Sequence, residues 1–330
     1  MTDFHAAMGA ASVSALWEQE GGRHNAPPEP AHLWSWATMN PLIDDAVAQT
    51  DMNNAERRVL VLDNPSFAGT ERFGACTNLT VNLQVLMPGE KARPHRHSMN
   101  ALRFALEGDG AVTVVEGKPC EMLRGDMILT PAWTWHEHEH AGRQRAIWVD
   151  VLDVPIHRYL DNSIFEPGPA HDVVELPPEG AFAAAGLAPD TPTAVKPYSP
   201  MFRYPWDATV RALDAMPAAA DGSRRLRYVN PVTGGPIMAT IDCYVMGLSP
   251  GQATTPYRTN SNGACVVVDG EGTTTVGETT LRWGPNDIFT LSHNQWISHT
   301  ATGGKPARLF LITDREMLKR LDLLREEFRA

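Results

Sequence analysis

The chain has 330 residues, 43% hydrophobic and 20% charged, with a formal net charge of −11. That length holds two domains with sizeable cores, and that apolar content excludes a disordered chain. An acidic balance without a long Lys/Arg run argues against nucleic acid or an anionic membrane as partner. The four cysteines, Cys76, Cys120, Cys243 and Cys265, are widely spaced with no C-x-x-C pair, as in a reduced intracellular protein. The opening MTDFHAAMGAASVSALWEQEGG has no basic head or long apolar core, and no run of 18 apolar residues occurs. Neither a signal peptide nor a membrane span is expected, and a cytoplasmic location is.

In chain order, residues 1–56 read as a helical N-terminal segment. Residues 57–154 carry short alternating runs broken by glycine turns: RRVLVLDNP, TNLTVNLQVLMPGE, LRFALEGDGAVTVVEG, MLRGDMILTP and RAIWVDVLD. That spacing predicts an antiparallel sandwich or barrel. Residues 155–235 shift to Pro- and Ala-rich text (EPGP, LPPEG, KPYSP), read as a connector with helical patches. Strand-like text returns over 236–313, from IMATIDCYVMGLSPG to RLFLITD. The tail 314–330, DREMLKRLDLLREEFR plus the last residue, has leucines at helical spacing and predicts an amphipathic packing or oligomer helix.

An internal repeat organises these parts. PGEKARPHRHSMNALRFALEGDGAVTVVEG aligns with PGQATTPYRTNSNGACVVVDGEGTTTVGET. Pro88–Gly89 matches Pro250–Gly251 and Gly108 matches Gly270, each pair 162 residues apart; Asp126 meets Asp287 at 161. Two copies at about half the chain length mean a duplicated β domain.

The first copy contains His95-Arg96-His97. On its own a histidine pair is ambiguous between a metal site and a basic turn. Here it follows Gly89 after a gap of five residues and precedes Gly108, while Pro131 follows Gly125 after another gap of five and His136 stands five positions beyond Pro131. These landmarks together resemble the cupin superfamily. The expected fold is therefore all-β: a bicupin of two antiparallel β-barrel or jelly-roll domains with a helical N-terminus, a connector and a C-terminal helix. His95 and His97 share a strand face, and His136 from a distant strand completes a three-histidine set. The usual cupin glutamate is missing, since Ala101 and Leu102 occupy its place. Three neutral imidazoles leave adjacent positions free on an octahedral metal, which suits a ferrous ion holding a bidentate substrate and O2; zinc would also accept them. The second copy has Tyr257, Thr259 and Ile297 at the three ligand positions. His293 and His299 do not restore the set, so it reads as a degenerate cupin and one metal per chain is expected.

The matching text over about residues 57–315 further resembles the gentisate 1,2-dioxygenase and salicylate 1,2-dioxygenase family, including 5-nitrosalicylate dioxygenase-like members. The resemblance implies Fe(II) at His95, His97 and His136, a homotetramer, and cleavage between C1 and C2 of a small aromatic carboxylate with O2. It also implies that Arg103, His138 and Gln84 contact the substrate or its oxygen and that Asp150 lies near the ring's far side. The residues support several of these roles. Arg103 has the parity of the histidines and can hold a carboxylate bidentately. His138, two residues after His136, is a candidate for acid–base work. Asn82 and Gln84 stand on the polar face of TNLTVNLQV, which fits a liganded cavity. Arg58, or Arg57 by a one-residue slip, is expected to add positive charge for the substrate. Asn82 departs from the small Ala or Gly usual in the family, so it is expected to bear on the ring substituent, for instance by favouring an acceptor such as nitro. Trp133, Trp135 and Trp148 read as core aromatics and His140 as a surface residue. The alternative is a non-catalytic cupin that binds a small molecule.

Overall fold

The computed structural model describes residues 2–18, 29–52, 55–184, 187–190 and 196–329. The chain begins with α1 (Thr2–Ala10), β1 (Leu33–Trp34), α2 (Trp36–Gln49) and β2 (Val59–Val61). The first barrel follows as β3 (Thr80–Leu86), β4 (Lys91–His97), β5 (Ala101–Glu107), β6 (Ala111–Val115), β7 (Lys118–Glu121), β8 (Met127–Thr130), β9 (His136–His140) and β10 (Ala146–Leu152). Then come α3 (Val154–Tyr159), β11 (Phe165–Pro167), β12 (Arg203–Tyr204), α4 (Trp206–Ala215) and β13 (Ser223–Arg227). The second barrel comprises β14 (Asp242–Leu248), β15 (Tyr257–Thr259), β16 (Gly263–Asp269), β17 (Gly272–Val276), β18 (Thr279–Trp283), β19 (Ile288–Leu291), β20 (Trp296–Ala301) and β21 (Ala307–Thr313). It ends in α5 (Arg315–Arg320) and β22 (Glu326–Phe328).

Each barrel is a six-stranded sheet facing a five-stranded one. The first has orders β12-β8-β5-β10-β3-β2 and β11-β4-β9-β6-β7; the second has β1-β19-β16-β21-β14-β13 and β18-β17-β20-β15-β22. The expected all-β bicupin architecture is present. The two six-stranded sheets pack against each other: one continuous core joins Leu83, Phe104, Val149 and Val151 of the first barrel to Val245, Val266, Phe310 and Ile312 of the second. Phe104 and Phe310 stack across this contact at 4.1 Å and 13°. Such strands are covered on both faces, which is why TVNLQVL and DCYVMGL are buried throughout.

The duplication reaches further than the sequence match. Asp153 and Asp314 sit at the starts of α3 and α5, fully buried, and each accepts the backbone N–H of an asparagine, Asn100 or Asn262, at 2.9 and 2.8 Å. Each aspartate also takes a donor from the other half: Thr240 donates to Asp153 and Asn78 donates to Asp314. Asn78 and Thr240 are themselves repeat partners, so the two barrels are fastened by a reciprocal pair of buried contacts.

Two expectations change here. Residues 155–235 are not a separate connector, because β11 and β12 extend the first barrel's sheets and β13 extends the second's. The tail is not one helix: α5 stops at Arg320, Asp322 turns with φ +57°, and β22 pairs with β15. Leucine spacing gave a helical period, but the exposed backbone edge of β15 recruits the last residues as a strand. The short strands are also exchanged between halves. β1, from the N-terminal segment, pairs with β19 of the second barrel, whereas β12 pairs with β8 of the first. The repeated aspartates anchor this exchange: Asp126 accepts from Trp206 N at 2.8 Å and Asp287 from Trp36 N at 2.7 Å, at the first residues of α4 and α2.

Candidate metal and substrate site

Inside the first barrel, strand pairing places His95 opposite His136, and the alternation of β4 puts His97 on the same face. One ring nitrogen from each of His95, His97 and His136 lies within 4.8 Å of the others, forming the one three-ligand cluster of that kind among the described residues. Local backbone sets the rings. The Nδ1 atoms of His95, His97 and His136 contact the carbonyls of Arg93, Met99 and Thr134 at 2.9, 2.9 and 3.0 Å. A carbonyl accepts only, so each Nδ1 carries the proton and each Nε2 offers a lone pair. The Nε2 atoms of His95 and His136 are buried without any hydrogen-bond partner. Burial lowers His95 to about 2 and His97 to about 4, and holds His136 well below the usual histidine range. Orphaned, neutral, converging imidazoles are what a divalent metal requires. Ala101 and Leu102 are buried and apolar, so no carboxylate joins the set.

The opposing sheet supplies a polar roof. Asp150 on β10 pairs with Asn82 on β3 and with Arg103 on β5, while Trp148 pairs with Gln84. Arg103 donates through Nη1 to Thr130 Oγ1 at 2.8 Å. Its Nε stands 3.1 Å from Asp150 Oδ1, an ion pair whose angle leaves both atoms without a hydrogen bond. Burial lowers Arg103 to about 10 and raises Asp150, the latter despite the neighbouring guanidinium. Gln84 Nε2 and Asn82 Oδ1 are also buried and unpartnered. His138 rests its Nδ1 against Thr113 Oγ1 at 2.9 Å, lies tilted beside the Trp148 ring at 5.2 Å, and leaves Nε2 free.

The second barrel is an internal control. At the positions of His95, His136, Asn82, Gln84, Arg103 and Asp150 it carries Tyr257, Ile297, Tyr244, Met246, Cys265 and Leu311, most of them in an apolar core. The same fold stands without any of these polar groups, so the fold does not require them in the first barrel. His299, the partner of His138, survives with its own threonine, Thr274, at 2.9 Å.

Some expectations are corrected. Arg58 does not face the site: it is buried in a double ion pair with Glu90 at 2.9 and 3.0 Å and donates to the Thr50 carbonyl. Val59 pairs with Gln84, so Arg57, two residues before Val59, takes the inward side. Arg57 lies over Phe165 at 5.6 Å, and its charge lowers His95 and His97. His140 is buried rather than on the surface, because β9 turns His136, His138 and His140 to one face. Trp135 and Trp148 are core residues, but Trp133 is 43% exposed and lies beneath Arg96 at 4.6 Å. Sequence reasoning missed Phe165, which stacks on the His95 ring at 5.3 Å and 18°. It comes from β11, in text read as connector; only the pairing of β11 with β4 brings it there.

The cupin-domain family matches residues 82–152, the stretch that holds every one of these inward polar residues except Arg57. Gentisate 1,2-dioxygenase 1 of Aquipseudomonas alcaligenes is 32% identical over 98% of this chain and 95% of its own length. The chain belongs to the gentisate 1,2-dioxygenase family. Within it, the 5-aminosalicylate 1,2-dioxygenase of Comamonas sp is 34% identical over 89% of this chain and 80% of that protein. The crystal structure of a salicylate 1,2-dioxygenase from Pseudaminobacter salicylatoxidans superposes with a TM-score of 0.90 at 30% identity, covering 99% of this chain and 97% of that one.

Proposed function

We propose that the protein is an Fe(II)-dependent dioxygenase that opens the C1–C2 bond of a salicylate-type ring, inserting both atoms of O2. The observation that carries this reading is the triad of converging imidazoles, those of His95 and His136 unpartnered at Nε2, beneath a roof of unpartnered polar groups, in a chain of this family. A ferrous ion on His95, His97 and His136 would supply oxygen activation and two positions for the substrate's carboxylate and hydroxyl oxygens.

The protein groups then have separable tasks. Arg103 and Arg57 hold the substrate carboxylate, Arg57 because its nearest carboxylate is only the adjacent Glu56 at 3.3 Å. Gln84 offers its amide N–H groups to the same oxygens. His138 is neutral by burial and positions Nε2 to take or return the phenolic proton. Asp150 sets the orientation of Arg103, and the buried walls exclude water from the reacting ring. The non-catalytic alternative is disfavoured because the polar set is retained here and replaced in the second barrel.

The same reading makes the protein a cytoplasmic homotetramer. Four buried, unpaired cysteines fit a reducing compartment. The exposed Tyr159, Leu160 and Leu321 beside a groove of about 900 Å³ fit an interface between copies. No helix among the described residues is long and apolar enough to cross a membrane.

Metal analysis tests the centre. About one iron per wild-type chain is expected, and His136→Ala should lose nearly all of it because two imidazoles cannot hold a facial site tightly. Near-stoichiometric iron in the variant would overturn the assignment.

A further inference from the structure

Two of the three histidines take their orientation from carbonyls on adjoining turns, His97 from Met99 and His136 from Thr134. The second of these turns is strained, because Trp133 has φ +64°, a left-handed value that a bulky side chain disfavours. Two hydrogen bonds to the first turn hold it in place. Trp133 N–H donates to the His97 carbonyl at 2.8 Å, and Ala132 N–H donates to Asn100 Oδ1 at 3.0 Å. Asn100 is buried, so its amide is fixed by protein partners. Its Nδ2 donates to Asp153 Oδ2 at 3.2 Å and to Thr240 Oγ1 at 2.9 Å, and its backbone N–H donates to Asp153 Oδ1 at 2.9 Å. Thr240 in turn donates its hydroxyl to Asp153. Thr240 lies just ahead of β14, so a residue of the second half closes this network.

Resting on the metal-centre reading above, we infer that Thr240 is a positioning residue, through which the second half sets the histidine geometry of the first by way of Asp153 and Asn100. Without its hydroxyl, Asn100 Nδ2 keeps only the longer bond to Asp153, and the fully buried Asp153 loses a donor. The amide that pins Ala132 is then no longer held on both sides. The strained turn relaxes, and the Thr134 carbonyl moves the His136 ring away from its partners. The duplication supplies a control. Asn78 donates to Asp314 in the mirror position, and Asp314 accepts Asn262 N–H at 2.8 Å. There Asn294 takes φ +59° and donates its N–H to the Thr259 carbonyl at 2.6 Å. Asparagine tolerates that conformation, and the strands beside this turn carry Thr259 and Ile297 at ligand positions. Both halves therefore share the clamp, but only in the first does it reach metal-binding imidazoles.

The test measures Co(II) affinity by chelator competition, with the visible spectrum of the bound ion and thermal unfolding recorded alongside. Wild type is compared with Thr240→Val, Thr240→Ala, Thr240→Ser and Asn78→Leu. Thr240→Val and Thr240→Ala should each weaken Co(II) binding by about tenfold or more and shift its spectrum, as loss of a group that orients a ligating histidine does. Thr240→Ser, which keeps the hydroxyl, should restore both. Asn78→Leu should lower the melting temperature in the same way yet hold Co(II) affinity within about twofold. Unchanged affinity and spectrum in a folded Thr240→Val or Thr240→Ala variant would overturn the inference. So would an equal loss in Asn78→Leu, since the effect would then be a general loosening of the contact between barrels. Wild type that takes up no Co(II) would sink the metal centre and this inference with it. The expected Co(II) pattern in a protein whose iron-loaded form consumes no oxygen would sink the ring-cleavage reading alone.

Discussion

At the residue scale, adjacent arginines carry opposite assignments. Arg58 is consumed by Glu90, whereas Arg57 and Arg103 lean on the histidines. Arg58→Ala should therefore lower the melting temperature and leave KM within about twofold, since it removes a buried ion pair while sparing the pocket. Arg57→Ala should raise KM roughly tenfold or more, and Arg103→Ala should depress kcat/KM by on the order of 10²-fold, with iron content unchanged in both. Steady-state kinetics beside thermal unfolding decides this; a KM effect confined to Arg58 would reverse the assignment. The histidines also predict an acid sensitivity. Burial depresses His95 to about 2 and His97 to about 4, from an ordinary 6.5. These groups stay neutral in the fold but take up protons when the chain unfolds. Their contribution is present above about pH 6.5 and is lost as pH falls through the window toward 4, at up to about 1.4 kcal/mol per histidine per pH unit. Chelator-treated protein should melt progressively lower from pH 7.5 to 5, and an unchanged melting temperature would contradict the neutral, buried triad.

At the scale of elements, the exchanged strand–helix pairs hold the barrels together. Asp126 accepts from Trp206 N and Leu123 N and pairs with Arg203 at 2.9 Å. Gly125 beside it has φ +85°, and a Cβ there would meet the Trp206 ring at 2.4 Å, so the helix start is seated directly on this turn. Asp126→Ala should cost about 3 kcal/mol by stranding those donors and lower the melting temperature by several degrees. Asp287→Ala, which frees Trp36 N and Gly284 N, should act in the same direction. Calorimetry on both variants checks this, and a pair of unchanged melting curves would show that the exchange contributes no stability. Much of this level was legible beforehand. The 161–162-residue period exposed the duplication, and alternation in TNLTVNLQV placed Asn82 and Gln84 inside. What stayed hidden was pairing over long separations. Nothing in Leu33–Trp34 tells which barrel it joins, and the tail's leucine period competes with a strand edge visible only in three dimensions.

At the scale of the whole molecule, one duplicated barrel has kept a polar interior and its twin has filled the same volume with apolar side chains. The histidine triad was readable because its spacing agreed with Gly89, Gly108, Gly125 and Pro131, and His138 and Arg103 followed from strand parity. Phe165 was not, since it arrives on an edge strand from distant text, and Arg57 was legible only as the one-residue alternative to Arg58. Both lie beside the histidine face of the first barrel: Phe165 stacks on His95, and Arg57 lies over Phe165. The central chemical claim is that the site on His95, His97 and His136, loaded with iron, consumes O2 and a salicylate-type ring together. Oxygen uptake by the anaerobically iron-loaded protein, recorded with ultraviolet absorbance on a panel of hydroxybenzoates, measures it directly. The account predicts about one O2 consumed per ring, a new absorbance from a conjugated ring-opened product, and loss of both in His136→Ala. Fully iron-loaded protein that consumes no oxygen with any 2-hydroxybenzoate would contradict it.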